Sequence, residues 1–243
     1  SRELVKRAEV IVREVEKRGY NDVDLWRAVG IAAAGQRDDA TDEELENVMK
    51  LAATALHRFA TASPIILGHI ESLLIEAWRR IMKSGAHGDG EGRRRLADWL
   101  TVIVYNAAIG HPPSLPHIFA VGVDWPDWAT LARRIEALYN AASNVGKVQL
   151  LDTLLYAVGR GICCGIVAGS CDCEEALKEV DMRIKGFVFG LYSVERAYAV
   201  ARLYPRLARR YASIGRTGRA TKFVEKSLRA LEELWDTYEK DKA

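Results

Sequence analysis

Apolar residues recur at three- and four-residue intervals along nearly all of this chain, and no run alternates apolar with polar residues between turn signals. A chain so patterned has helices as its only way to bury an apolar face, so the expected fold is all-α. Short links between successive helices bring them together antiparallel, as a helix array or irregular helical bundle. The expected helices are Glu3 to Lys17, Asp22 to Ala34, one opening at Thr41, one opening at Ser63-Pro64, then Arg93 to Ala108, Asp127 to Ala142, Lys147 to Ala168, Cys173 to Phe189, Ser193 to Leu203, Pro205 to Ile214 and Thr217 to Tyr238.

Local chemistry fixes several starts. Thr41 with Glu44 forms a capping box, hydroxyl and carboxylate each taking an amide that the first turn leaves free. Pro64 at a first helical position has no amide to lose. The strongest interruption is Gly110 to His117, with three prolines in eight residues. It predicts a boundary between an N-terminal helical part, 1–109, and a C-terminal part, 118–243.

Charge and hydropathy exclude some classes of partner. Lys and Arg number 35 against 33 Asp and Glu, so the chain as a whole has no pull on nucleic acid or an anionic membrane. The longest uncharged stretch, Leu100 to Val123, is long enough to cross a bilayer but is broken by glycine and proline, so no membrane span is expected. The charged start, Ser1 to Val15, has no apolar core of a secretory signal, which makes the cytoplasm the expected compartment. Scarce glutamine (Gln36 and Gln149) with plentiful Arg and Glu leans towards a thermophile.

The C-terminal helices carry the most specific pattern. Tyr204, Leu207, Ala208 and Tyr211, then Gly215 at the turn, then Ala220, Val224, Ser227 and Leu228 stand at the spacings of a degenerate helix-pair consensus. The segment 202–234 resembles one tetratricopeptide repeat. It departs in having Tyr204 for the opening aromatic, Glu232 for the closing proline, and Pro205 in the first turn. A looser echo lies in Trp128, Leu131, Ala132, Arg133, Arg134 and Ile135. The resemblance implies small residues Ala208, Ala220 and Ser227 at the helix crossing, with Leu207, Tyr211, Val224 and Leu228 filling the space around them. It also implies a non-enzymatic scaffold that binds a peptide or another protein.

The same segment is locally basic: nine Lys or Arg and one acid, Glu225, lie between Arg202 and Arg229. Arg202, Arg206, Arg209, Arg210, Arg216, Arg219 and Lys222 are the candidate partner-binding residues. Three readings stay open: a solvated surface balanced by the acidic end Glu232 to Asp241, recognition of an acidic protein segment, or nucleic-acid association.

Catalytic chemistry is sparse. Cys163, Cys164, Cys171 and Cys173 match no zinc spacing and suit small buried residues or one disulfide. No histidine pair has ligand spacing, and His111 and His117 read as parts of a solvated loop. Arg80 with His87 bears a loose similarity to the Arg and His of HEPN ribonucleases, the remaining enzymatic alternative. The glycine-rich stretch Gly88 to Gly92 lacks the Lys and hydroxyl of a phosphate loop and reads as a flexible connection. No metal or cofactor is expected, and no catalytic residue is assigned.

Overall fold

The computed structural model describes residues 40–59, 70–83, 90–110 and 115–242, with a few single positions besides. The helices expected at Glu3 to Lys17 and Asp22 to Ala34, the Ser63-Pro64 start, His69, His87 and His111 lie outside the described residues, as does the side chain of His57. Among the described residues the fold is all-α, with nine helices and no strand. They are α1 Asp42–Phe59, α2 Glu71–Met82, α3 Gly90–Ile109, α4 Leu115–Ala120, α5 Trp128–Ala141, α6 Asn144–Gly159, α7 Cys173–Phe189, α8 Ser193–Ser213 and α9 Thr217–Lys242. No described helix is long and apolar enough to cross a membrane. The chain forms two compact units, 1–147 and 148–243, so the division falls inside α6 and not at the proline loop.

In the first unit the capping box forms as its spacing predicts: the Thr41 amide donates to Glu44 Oε2 at 3.0 Å and the Glu44 amide to Thr41 Oγ1 at 3.2 Å. The core gathers Leu45 and Met49 of α1, Leu73, Leu74, Trp78 and Ile81 of α2, and Leu96, Leu100, Ile103 and Val104 of α3. Trp78 keys it together. Its indole Nε1 donates to the Ile118 carbonyl at 3.0 Å, and its ring lies 5.5 Å from Phe119. Arg134 of α5 stacks on the same ring and donates to the carbonyls of Phe119 and Val121, closing the turn that follows α4. Three expectations change here. Of the glycine-rich stretch, Gly90, Glu91 and Gly92 belong to α3, where Gly92 is buried and Glu91 meets Arg94 and Arg95, so these three are helical and no loose connection. His117 sits within α4, stacked on Trp125 at 5.8 Å, and so is not in a solvated loop. Arg80 donates to Glu76, Asp42 and the Ala40 carbonyl, so it ties α2 to the start of α1, while His87 lies outside the described residues.

In the second unit α6 stops at Gly159, short of the expected Ala168. Gly161, Gly165 and Gly169 all take positive φ, which turns the chain where a helix would need negative values. Two disulfides, Cys163–Cys173 and Cys164–Cys171, staple this loop to the start of α7, where the sequence suggested small buried residues or one disulfide. Asp172 caps α7 by accepting from the amides of Glu174 and Glu175. The two helices expected on either side of Pro205 are one, α8. An interior proline costs a helix about 3 kcal/mol; here its ring is exposed while Val200, Leu203, Tyr204, Leu207 and Ala208 are buried around it, so packing carries the helix through. After the turn at Gly215, φ 76°, α9 returns antiparallel to α8.

Replacing Trp78 by Ala is expected to cost about 3–5 kcal/mol, and by Phe about 1–3 kcal/mol through the orphaned Ile118 carbonyl. The measurement is the urea unfolding curve of the full chain followed by circular dichroism.

Candidate functional site: the C-terminal helix pair

The seam between α8 and α9 is built from Tyr204, Leu207, Ala208 and Tyr211 on one side and Ala220, Phe223, Ser227 and Ala230 on the other, all buried. Phe223, which the repeat pattern does not pick out, is its centre, with ring centroids 5.0 Å from Tyr204 and 5.8 Å from Tyr211. Ala220 and Ser227 thus take the crossing positions expected of them, while Phe223 and Ala230 complete the seam. Val224 and Leu228 do not fill the seam; they point away from it and are exposed.

These two belong to a longer stripe. Val224, Leu228, Leu231, Trp235 and Tyr238 follow one another at spacings of four and three, the period of a helix-docking seam, and each is 42–62 % exposed, taking Ile214 at the turn with them. On the far border of the stripe stand Glu225, Glu232 and Glu239, seven residues apart and all exposed.

The predicted basic residues are placed by two carboxylates that the sequence reading did not single out. Asp152 of α6 is 1 % exposed and forms ion pairs with Arg202, at 3.3 Å, and Arg206, both of α8. Burial, the foremost cause, raises its pKa above the ordinary carboxylate value; the charges of Arg206 and Arg202 oppose that shift without cancelling it. Asp181 of α7, also 1 % exposed, accepts at Oδ2 from the Tyr211 hydroxyl at 2.6 Å, Arg219 at 2.7 Å and Lys185 at 3.0 Å. Burial first, then the hydrogen bond to Asp181, pushes the Tyr211 hydroxyl above the ordinary tyrosine value, so it stays a donor.

Arg210 goes deeper. Its Nε donates to the Leu155 carbonyl at 3.0 Å, and its guanidinium occupies the space that a side chain at Gly159 would fill. Arg216 reaches Glu174 at 3.6 Å from an exposed position. Of the seven predicted residues, five therefore meet groups of the chain itself, while Arg209 and Lys222 are exposed and form no ion pair among the described residues. Lys222, Lys226 and Arg229 share the opposite side of α9 from the apolar stripe. Among the described residues no group of His, Cys, Asp and Glu could hold a metal ion.

The signals for the buried acids were faint but present. Asp152 interrupts the apolar run Val148 to Val158, where a charge is rarely left buried without a partner. Asp181 stands four residues before Lys185 on the apolar stripe of α7.

Because the folded chain holds the Asp152 proton more tightly than the unfolded chain does, this group's contribution to stability falls as pH rises from the ordinary carboxylate value through the raised one. The stability advantage of the native chain over Asp152→Asn is therefore expected to be largest in acid and to shrink towards neutrality, measured as urea midpoints of both proteins across about pH 4 to 8. No family model, curated protein or solved structure matches this chain.

Proposed function

We propose that the chain is a non-enzymatic interaction module whose C-terminal helix pair docks a helix of a partner protein. The observation that carries this reading is the exposed stripe Val224, Leu228, Leu231, Trp235 and Tyr238 beside the α8–α9 seam. A monomer seldom leaves a regular apolar seam in water, and a seam with this period fits one more amphipathic helix. The tetratricopeptide resemblance supports the same reading, since each helix pair of such an array is covered by the next helix.

Charge sets the chemistry of the occupant. The border Glu225, Glu232 and Glu239 suits a helix whose apolar face is edged by Lys or Arg, and a second copy of α9 laid antiparallel on the stripe would bring these glutamates against their own counterparts. An acidic segment, the other expected partner, would have to displace Arg202, Arg206 and Arg219 from Asp152 and Asp181. Nucleic acid would use the separate face of Lys222, Lys226 and Arg229. A cytoplasmic role in a thermophile is consistent with this reading, because intracellular disulfides persist in such cells.

The test uses fluorescein-labelled synthetic amphipathic helices with a leucine seam, edged by Lys or by Glu, titrated with the full chain and followed by anisotropy. The Lys-edged peptide is expected to bind at least about tenfold tighter, a difference of about 1.4 kcal/mol, and to lose that binding in Leu228→Ser and Trp235→Ser. Equal affinity for the two peptides, or binding untouched by both substitutions, overturns the proposal. Binding of a labelled single-stranded RNA that is lost in Lys222→Glu with Arg229→Glu, with no binding of either peptide, would replace it by the nucleic-acid reading.

A further inference from the structure

The first unit carries a second feature, separate from the helix pair. A cleft of about 550 Å³ is walled by the first turns of α3 and α6 and the link between α5 and α6. Among the described residues its charged lining is Arg93, Arg94 and Lys147, with polar groups from Asn140, Ser143 and Asn144, and no carboxylate. Three cations facing one space with no acid among them repel each other, a cost that a bound anion removes.

The partners that these cations have elsewhere are weak or missing. Arg93 forms no ion pair among the described residues, and its Nε is buried without a hydrogen-bond partner, which leaves a desolvated donor. Arg94 pairs, among the described residues, with Glu91 at 3.5 Å, both side chains more than half exposed. The Lys147 ammonium lies over the Tyr139 ring at 5.4 Å, and it forms no ion pair among the described residues.

The backbone adds to this field and fixes its direction. The Ser143 amide donates to Asp98 Oδ1 at 2.8 Å, and Ser143 Oγ in turn accepts from the Gly146 amide at 3.1 Å, so the start of α6 is tied down. Gly146 lies against Asp98 so closely that a Cβ would collide with the carboxylate, which keeps this turn pressed onto α3. The positive end of α6 is thereby held at the wall from which Lys147 projects.

We propose that this cleft binds a small molecule through a phosphate or pyrophosphate group, with Arg93 and Lys147 as its principal ligands and Arg94 at the rim. An arginine fork and a lysine point charge are the usual pair for that group. The volume falls in the range of clefts that hold whole small ligands, larger than phosphate alone requires, so the phosphate is expected to carry an organic group that lies along Ala141 and Ala142.

Isothermal titration of the full chain with inorganic pyrophosphate, with adenosine monophosphate and with adenosine tests this. Pyrophosphate and the monophosphate are expected to bind and adenosine not to. Arg93→Ala and Lys147→Ala are each expected to weaken binding at least about tenfold, while Arg209→Ala, in the other unit, leaves it unchanged. Circular dichroism of each variant identifies any that fails to fold, in which case Arg93→Gln and Lys147→Gln take their place. The proposal falls if neither phosphate compound binds, if adenosine binds as well as its monophosphate, or if the cleft variants bind like the native chain. It also falls if a short single-stranded oligonucleotide competes for the same residues with about a hundredfold higher affinity than the monophosphate.

Discussion

Two carboxylates, each 1 % exposed, set the arrangement of the C-terminal unit. An unpaired charge taken out of water costs several kcal/mol, so Asp152 and Asp181 must be met by cations, and only helices at a particular distance and rotation can supply them. Asp152 holds α8 against α6 through Arg202 and Arg206, and Asp181 gathers α7, α8 and α9 through Lys185, Tyr211 and Arg219. Replacing these pairs by apolar side chains would leave the helices freer to slide. The ion pairs give the array its register more than its strength, and they decide which arginines remain for anything outside the chain.

That allocation reorders the surface. The segment Arg202 to Arg229 is strongly basic when counted along the sequence, yet in space much of the charge faces acids from α6 and α7. What α9 then presents is a division by side: cations Lys222, Lys226 and Arg229 on one, and on the other an apolar stripe with an acidic border. The first unit shows the reverse case, where Arg93, Arg94 and Lys147 share a cleft with no acid among its described lining residues. A count of charge along the chain cannot separate these two situations, because it takes no account of partners fifty residues away.

The all-α class, the capping box at Thr41 and Glu44, the helix start at Asp127 and the start of α7 at Cys173 were legible because each rests on neighbours within one or two turns. The end of α6 was not, since the apolar run beyond Gly159 keeps helical period while the positive φ of Gly161, Gly165 and Gly169 depends on the disulfide-closed loop. Pro205 misled for the opposite reason: its local penalty is real, but buried side chains before and after it outweigh it. Within α9 the small crossing residues Ala220 and Ser227 were placed as expected, but the repeat consensus puts Val224 inward whereas the larger Phe223 takes the space between Tyr204 and Tyr211. Of the candidate site, the cations were plain and their partners only faintly marked, because these lie far along the chain; Arg210 and Leu155, for example, are 55 residues apart.

The contact of Arg210 with Gly159 reaches beyond this one molecule. A guanidinium that rests where a Cβ would stand makes two distant positions hereditary companions: any residue larger than glycine at 159 evicts the arginine, and a shorter side chain at 210 leaves a void beneath α8. In a lineage descended from this fold, the two should change together or stay fixed together. A glycine at the end of one helix and an arginine in the last turn of another would then serve as a signature by which distant relatives can be recognised where overall similarity has faded.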